Sequence, residues 1–585
     1  MRLARFPLML LVYLVLAVGY AVSQPLGEAP DEADHYAYAR HLALERALPV
    51  GPTVTQSKHP PLYHGLVAAL AGWTGMDFDF LRSNPDALPP GPDKPPNFFI
   101  HTRLEAFPWR DGPLAMYIGR FVSVVLGAIT LWATWRLAGE IFPERPTVGV
   151  LAAGFLAGLP GFLYISGAMN NDNAAGALGS VALWLLARGL RRGFSRSQAL
   201  FLGLVFGLGL LAKVGTLALW PLAVPAMVGD GWLRHGRGQA WNRWLPAVMA
   251  RLALAWGLGL LIAAPWLLRN HVLYGDPFGW ALVRATVDQR TSPLGTADLI
   301  WLLRGVFGYF WGRFGAIGQV RLPAWAYRVA LAFTLFILVG LWLHLRRHRP
   351  RELREGLGLL LLGLAPLLSL AALVQYSTIA LGTDQARLLW PSLAAIAIGF
   401  ALGWEGWIGL LPSHRRPLAV SGFLGLMALY GLSALVWVLR PAFAPPPPSS
   451  WPPAAALQPA VVFGDRLALV AVELPPTPLS VGEPLSLRLT WQALRPVAED
   501  LRVVVRLVHQ DGWLAAEWDH SPALGRYATD RWRVGEAVAD PYRLTPNPAA
   551  AGEFTVLVGV RPFRGEWLSA GETGPFAVVG RVVYR

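Results

Sequence analysis

The chain has 585 residues, 54% of them hydrophobic and only 15% charged, with a mean hydropathy of +0.42, a balance that excludes an ordinary soluble fold and describes a polytopic membrane protein. Its net charge of +14 would point to nucleic acid in a soluble protein, but here the basic residues gather in short loops between apolar segments, a positive-inside pattern that leaves no nucleic-acid partner to invoke. Cysteine is absent, which excludes disulfides, thiolate catalysis and cysteine-ligated metals.

Apolar stretches fall at 6–22, 114–138, 148–168, 174–190, 198–212, 214–229, 250–268, 327–345, 357–377, 388–408 and 418–439. At about 20 residues per crossing they predict about eleven transmembrane helices. The first is read as retained, because no convincing small-x-small cleavage site precedes Gln24. The division of 198–229 at Lys213-Val214-Gly215 rests on charge. With Arg2 and Arg5 in the cytoplasm, the loops Arg136 to Arg145, Arg188 to Arg196, Arg234 to Arg251, His344 to Arg354 and His414 to Arg416 all fall inside only if that stretch crosses twice. The same alternation places 23–112, Asn270 to Trp325 and everything beyond Arg440 outside. The expectation is a multi-pass protein of the inner or plasma membrane, with a cytoplasmic N-terminus and an extracytoplasmic C-terminal domain.

The long loop 23–112 opens on Glu28-Ala29-Pro30-Asp31-Glu32-Ala33-Asp34-His35-Tyr36, an acidic cluster just beyond the first apolar segment. Carboxylates at a membrane surface bind something polar or move a proton. After Asp31, the spacing of Tyr36, Ala39, His41-Leu42 and Leu48 predicts an amphipathic helix along the membrane surface, its acidic start matched to a helix N-terminus. Lys58-His59-Pro60-Pro61-Leu62-Tyr63 follows, a cationic pair before a rigid turn. Pro61 to Trp73 is apolar but too short to span, so it reads as a second interfacial helix.

Beyond Arg440 the composition changes through Pro445-Pro446-Pro447-Pro448-Ser449-Ser450, a stiff spacer within a linker taken as 441–458. From 459 to 585 the chain alternates in short runs such as Leu485 to Trp491, Leu501 to Val508 and Phe554 to Val560, the pattern of an all-β sandwich. Trp491, Trp513, Trp518, Trp532 and Trp567 are available either to its core or to stacking on sugar rings. The domains expected are 1–440, a transmembrane domain carrying the external loop 23–112, and 459–585, an external β-sandwich.

Pro30-Asp31-Glu32-Ala33-Asp34-His35-Tyr36 followed by Ser57-Lys58-His59-Pro60-Pro61-Leu62-Tyr63 resembles the first external loop of the C-type glycosyltransferases. The similarity is to the polyprenyl-phosphate-sugar-dependent members, such as protein O-mannosyltransferases and aminoarabinose transferases. It extends to Ala168-Met169-Asn170-Asn171-Asp172-Asn173, to Leu210-Leu211-Ala212-Lys213 and to Gln385-Ala386-Arg387-Leu388-Leu389-Trp390-Pro391, in family order over roughly residues 1–440. The resemblance implies transfer of a sugar from a polyprenyl-phosphate donor to an extracytoplasmic glycan, lipid or protein acceptor. In it Asp31 is the base or acceptor-orienting group, Glu32 assists, and Lys58, His59, Lys213 and Arg387 hold the donor phosphate. Asp34, His35, Tyr63, Asn171 and Asp172 are weaker substrate-binding candidates, with Asp172 equally suited to capping a helix.

The chain departs from the family pattern in two places. His59 stands where many relatives carry lysine and must be protonated to stabilise a phosphate fully. Lys58 stands where some relatives carry an acid, so a metal ligand is missing there. The motifs identify no certain cofactor, and a divalent ion held by Asp31 and the donor phosphate stays open. The alternatives are a noncatalytic scaffold displaying the β-domain, which would not need Asp31, Glu32 or His59, and a lipid-linked-sugar transporter. A transporter calls for charges in mid-span and an internal repeat, and the chain has neither.

Overall fold

The structure of the protein, a computed structural model, describes residues 5–91, 94–236, 238–350, 352–448, 456–547, 551–571 and 574–585. Arg2 and the part of the Pro-rich linker from Ser449 onward to 455 lie outside the described residues.

Each of the eleven apolar segments contains helix. Among the described residues eight helices are long and apolar enough to cross a membrane, and the pair Pro146–Gly158 and Pro160–Ser166, bent by 66°, makes a ninth if it is one span. Of the others, Asp172–Arg192 has spanning length but a polar, Gly- and Ala-rich start, and Arg196–Ala212 has only 17 residues. The protein is mostly helical and crosses the membrane several times. At Lys213 the chain is extended (φ −162°, ψ 131°) and a 3-10 helix follows at Val214–Leu222, so the break expected there is present. The α-helices Trp280–Ala285 and Thr296–Trp311 were not anticipated. Thr296–Trp311 lies within the second long loop, where Asp298 and Arg304 interrupt the apolar text.

Small residues set the closest helix approaches. A Cβ on Gly340 would lie 2.0 Å from the Gly403 carbonyl oxygen, and one on Gly406 would lie 1.9 Å from that of Gly340, so Ala324–Arg347 and Leu393–Ile408 pack backbone to backbone. Both stretches expected to be helical in the loop 23–112 are helices. Glu32–Glu45 buries Glu32, His35, Tyr36, Tyr38 and Ala39. Leu62–Ala71 starts directly after Pro61, which supplies a helix-compatible φ, and exposes Leu66 and Leu70.

The chain divides into two compact units. One comprises Met1–Gln24, Ala29–Met76 and Leu114–Pro441, and the other Pro25–Glu28, Asp77–Pro113 and Ala442–Arg585. The loop 23–112 is therefore shared between them, whereas the sequence boundaries keep all of it with the membrane domain.

The second unit is built on eight strands, β1 Ala456–Phe463, β2 Leu467–Glu473, β3 Leu485–Ala493, β4 Leu501–His509, β5 Leu514–His520, β6 Ala537–Leu544, β7 Gly552–Pro562 and β8 Phe576–Tyr584. They form two antiparallel four-stranded sheets, ordered β6-β3-β2-β1 and β8-β7-β4-β5. Alternate residues of both sheets, among them Leu469, Leu489, Trp491, Val503, Val505, Val556 and Val558, meet in one dry core, which makes the domain a β-sandwich. Trp491 and Trp532 belong to that core, while Trp513 is exposed.

Asp77–Pro113 joins the sandwich through polar contacts. Asn84 Nδ2 donates to the Leu524 carbonyl (3.0 Å) and Asn97 Nδ2 to that of Gly525 (2.9 Å). The Arg103 backbone N–H donates to Asp530 Oδ2 (2.8 Å). Asp86 receives the Trp518 indole N–H (2.9 Å) and lies 3.0 Å from His520 Nδ1.

Candidate active site

The site lies in the first unit, where five separate segments converge. Asp31 precedes the helix Glu32–Glu45 with a left-handed backbone (φ 61°, ψ 9°), and its side chain makes no capping bond to that helix. Aspartate tolerates this conformation better than most residues, but holding it there still costs stability. The carboxylate is directed elsewhere: Arg387 Nη2 donates to Asp31 Oδ2 at 2.5 Å. Asp31 is nevertheless 41% exposed, so it can be reached from outside.

From Arg387 an alternating chain of charges runs inward. Its Nη1 donates to Asp172 Oδ2 (2.8 Å), its Nε to Gln385 Oε1 (2.7 Å), and Lys213 Nζ donates to Asp172 Oδ1 (2.5 Å). Asp172 is fully buried at the first turn of Asp172–Arg192, with both oxygens occupied by cations. The helix break at Lys213 presents that ammonium to it. Neighbouring asparagines fix the corner: Asn170 Nδ2 donates to the Pro30 carbonyl (3.0 Å), Asn170 Oδ1 accepts the Asp172 N–H (2.9 Å), and Asn171 Nδ2 donates to the Ala212 carbonyl (3.2 Å). Asp31, Arg387, Asp172 and Lys213, four residues from four motifs, thus form one network.

Burial raises the Asp31 carboxyl, but Arg387, with Lys58 and Lys213, outweighs it and holds the group below its ordinary range. Asp34 moves the other way, raised by burial and by the Asp31 charge. Lys58 Nζ donates to the Thr286 carbonyl (3.2 Å) and has no carboxylate within 4.0 Å among the described residues, although Asp31 and Asp34 act on it electrostatically. Burial lowers its pKa.

His59 does not present a charge. Burial, then Lys213 and Lys58, push its pKa well below the usual value, so the protonated form required of it by the resemblance is disfavoured. His35 is buried and likewise held neutral, its Nδ1 2.8 Å from His64 Nε2. Tyr63 is buried too, with its hydroxyl 2.7 Å from Ser123 Oγ and donating to the Gly119 carbonyl (3.2 Å).

Glu32 is placed apart from this chain of charges. Arg120 Nε and Nη2 donate to Glu32 Oε1 and Oε2 (2.8 and 2.6 Å), and the Met169 N–H donates to Oε1 (2.8 Å), all with no exposure. Arg120 also donates to the Ala21 and Gln24 carbonyls (2.6 and 2.8 Å), tying the first helix to the second. Sequence reading passed over Arg120. A lone arginine in an apolar segment is the one available signal, since such a charge needs a partner.

Among the described residues no group of three or more His, Asp or Glu is arranged to hold a metal ion. Asp31, surrounded by Arg387, Lys58 and Lys213, is a poor ligand for a further cation.

Residues 115–268 match the family described as dolichyl-phosphate-mannose-protein mannosyltransferase. No curated protein sequence matches. Among solved structures, ArnT from Cupriavidus metallidurans bound to undecaprenyl phosphate is similar at 15% identity and a TM-score of 0.45, over 73% of this chain and 75% of that one. The Archaeoglobus fulgidus oligosaccharyltransferase in complex with Zn and sulfate is similar at 15% identity and a TM-score of 0.42, over 74% of this chain, which spans 52% of that one. The S. cerevisiae protein O-mannosyltransferase Pmt1-Pmt2 complex bound to the sugar donor is similar at 15% identity and a TM-score of 0.32, over 48% of this chain and 34% of that one. In its motifs and in the family matched by residues 115–268, the chain resembles the C-type membrane glycosyltransferases.

Proposed function

We propose that the protein transfers a sugar from a polyprenyl-phosphate donor to a hydroxyl or other nucleophilic group of an acceptor outside the cytoplasm. The observation that carries this reading is the placement of Asp31: a reachable carboxylate beside three cations, held by Arg387 and assembled from motifs 356 residues apart. In the reaction the acceptor hydroxyl oxygen bonds to the anomeric carbon, the bond from that carbon to the donor phosphate oxygen breaks, and the hydroxyl proton passes to Asp31. The leaving polyprenyl phosphate gains negative charge, which nearby cations stabilise.

Of those cations Lys58 is the readiest, because Arg387 and Lys213 already serve Asp172. His59 and His35 serve as neutral polar walls. Glu32 supports the site through Arg120 rather than assisting the base. A carboxylate held low is a weak base, which suits an oxocarbenium-like transition state in which the phosphate departs ahead of proton transfer. Purified protein given fluorescent polyprenyl-phosphate sugars one at a time, with membrane extracts as acceptor, should form labelled product. Asp31→Asn should abolish it while donor binding persists; full activity in Asp31→Asn would overturn the assignment.

A further inference from the structure

Within the second unit a cleft of about 940 Å³ opens between Asp86, Pro89 to Gly91 and Lys94 on one side and the sandwich edge on the other. Its size is that of a ligand site rather than a packing gap. Trp518 of β5 and Tyr542 of β6 line it, from the edge strands of the two sheets. Both rings are fixed in place. The Trp518 indole N–H is donated to Asp86, the Tyr542 hydroxyl donates to Asp540 Oδ2 (2.5 Å), and the rings meet edge to face at 5.8 Å. Lys94, Arg488 and Arg543 stand on the rim. Arg488 faces Glu473 at 3.6 Å, whereas Lys94 and Arg543 make no ion pair among the described residues. The lining carries three cations, Lys94, Arg488 and Arg543, against two acids, Asp86 and Glu473, so the cleft is cationic by one charge.

The backbone beside the cleft is strained. Ala523, Leu524 and Gly525 are consecutive left-handed residues (φ 56°, 57° and 72°), and Leu524 lines the cleft. Such a run persists only where its surroundings enforce it, and it concentrates at ligand sites. Asn84 and Asn97 enforce it here by donating to the Leu524 and Gly525 carbonyls.

We propose that this cleft binds an acidic oligosaccharide. The apolar face of a sugar ring would lie on the half-buried Trp518, which the buried Tyr542 backs from the core, and its carboxylates or phosphates would pair with Arg543, Lys94 and Arg488. The site is separate from the transfer chemistry around Asp31, and its test does not depend on transfer.

Full-length protein in detergent is titrated with a trigalacturonate, with maltotriose as the neutral counterpart and with inorganic phosphate alone. Saturable binding of the trigalacturonate that weakens with salt is expected, with the neutral trisaccharide at least about tenfold weaker if charge pairing supplies about 1.4 kcal/mol or more. Trp518→Ala and Arg543→Gln should each lower affinity about tenfold or more. Arg543 is exposed, so its variant keeps the test valid should Trp518→Ala fail to fold. No saturable binding of trigalacturonate, or unchanged affinity in folded Arg543→Gln, overturns the proposal. Equal affinity for maltotriose overturns its acidic part, and binding of phosphate as tight as trigalacturonate overturns the role of the Trp518 ring.

Discussion

Lys58 and His59 are adjacent in the chain and both face the cationic site, yet burial separates their roles. Burial lowers both groups, but an ammonium starts far above neutral pH and an imidazole close to it, so desolvation neutralises His59 first. Lys58→Met should therefore weaken binding of undecaprenyl phosphate by about 1.5–3 kcal/mol, the range for a hydrogen bond to a charged group. His59→Gln should leave affinity near the parent value, with no gain between pH 7 and 5.5; a strong acid-dependent loss would show His59 to be a charged ligand. Asp31 and Glu32 divide in a similar way. Breaking the buried Glu32–Arg120 pair with Glu32→Leu should cost on the order of 3–5 kcal/mol of stability, because Arg120 is left buried without its countercharge. Asp31→Asn removes charge from a part-exposed side chain, so melting curves should show a much smaller loss. Because Arg387, Lys58 and Lys213 hold the Asp31 carboxyl low, it stays ionised as pH falls and protonates only below the ordinary carboxylate range. Transfer should accordingly show no acid limb between pH 7 and 5.

The segment Asp77–Pro113 shows what an element gains by packing onto a sandwich edge. His520 is buried between Asp86 Oδ2 (3.0 Å) and Asp540 Oδ1 (3.2 Å). Burial lowers its pKa, but the two aspartates outweigh it and raise it from 6.5 to about 9. His101, between Glu105 and Glu28, is raised to about 9 in the same way. A group whose folded pKa is raised adds stability that is complete below its unfolded pKa and disappears as pH rises through the folded one. The histidine contribution to the melt of the second unit should thus be complete below about pH 6.5 and be lost toward pH 9, and His520→Gln should flatten that slope. A fall on the acid side of pH 6.5 that vanished in His520→Gln would contradict the ion-pair assignment. Asn84→Ala, which leaves the Leu524 carbonyl of the left-handed turn without its donor, should cost about 1–3 kcal/mol in the same melt.

For the whole molecule, the basic loops predict an orientation that labelling can test. The absence of cysteine makes single introduced cysteines unambiguous reporters. Residues 288 and 535 should react with an impermeant reagent from outside, and 235, 347 and 415 only from inside. Inside labelling at 535 would remove the parity argument for two crossings in 198–229. The helix break at Lys213 would then need another purpose than separating two spans.

The apolar segments, the interfacial helices, the break at Lys213 and the alternating strands beyond 459 were legible because each is written in consecutive residues: spanning length, 3.6-residue and two-residue periods, and Pro or Gly punctuation leave local marks. The candidate site was legible as motifs too, and Asp31, Asp172, Lys213 and Arg387 do meet. Their partners were not legible. Whether Glu32 faces substrate or Arg120, whether His59 is charged, and that Asp86 pairs with His520, far along the chain, are decided by burial and by contacts between distant segments. The pKa of an imidazole or the countercharge of a buried arginine depends on what surrounds it in space, and no local pattern encodes that. For the same reason the sequence marks a composition change at 440 but not that Asp77–Pro113 belongs with the sandwich, since that segment is joined to it by side chains finding distant carbonyls and carboxylates rather than by any periodicity of its own.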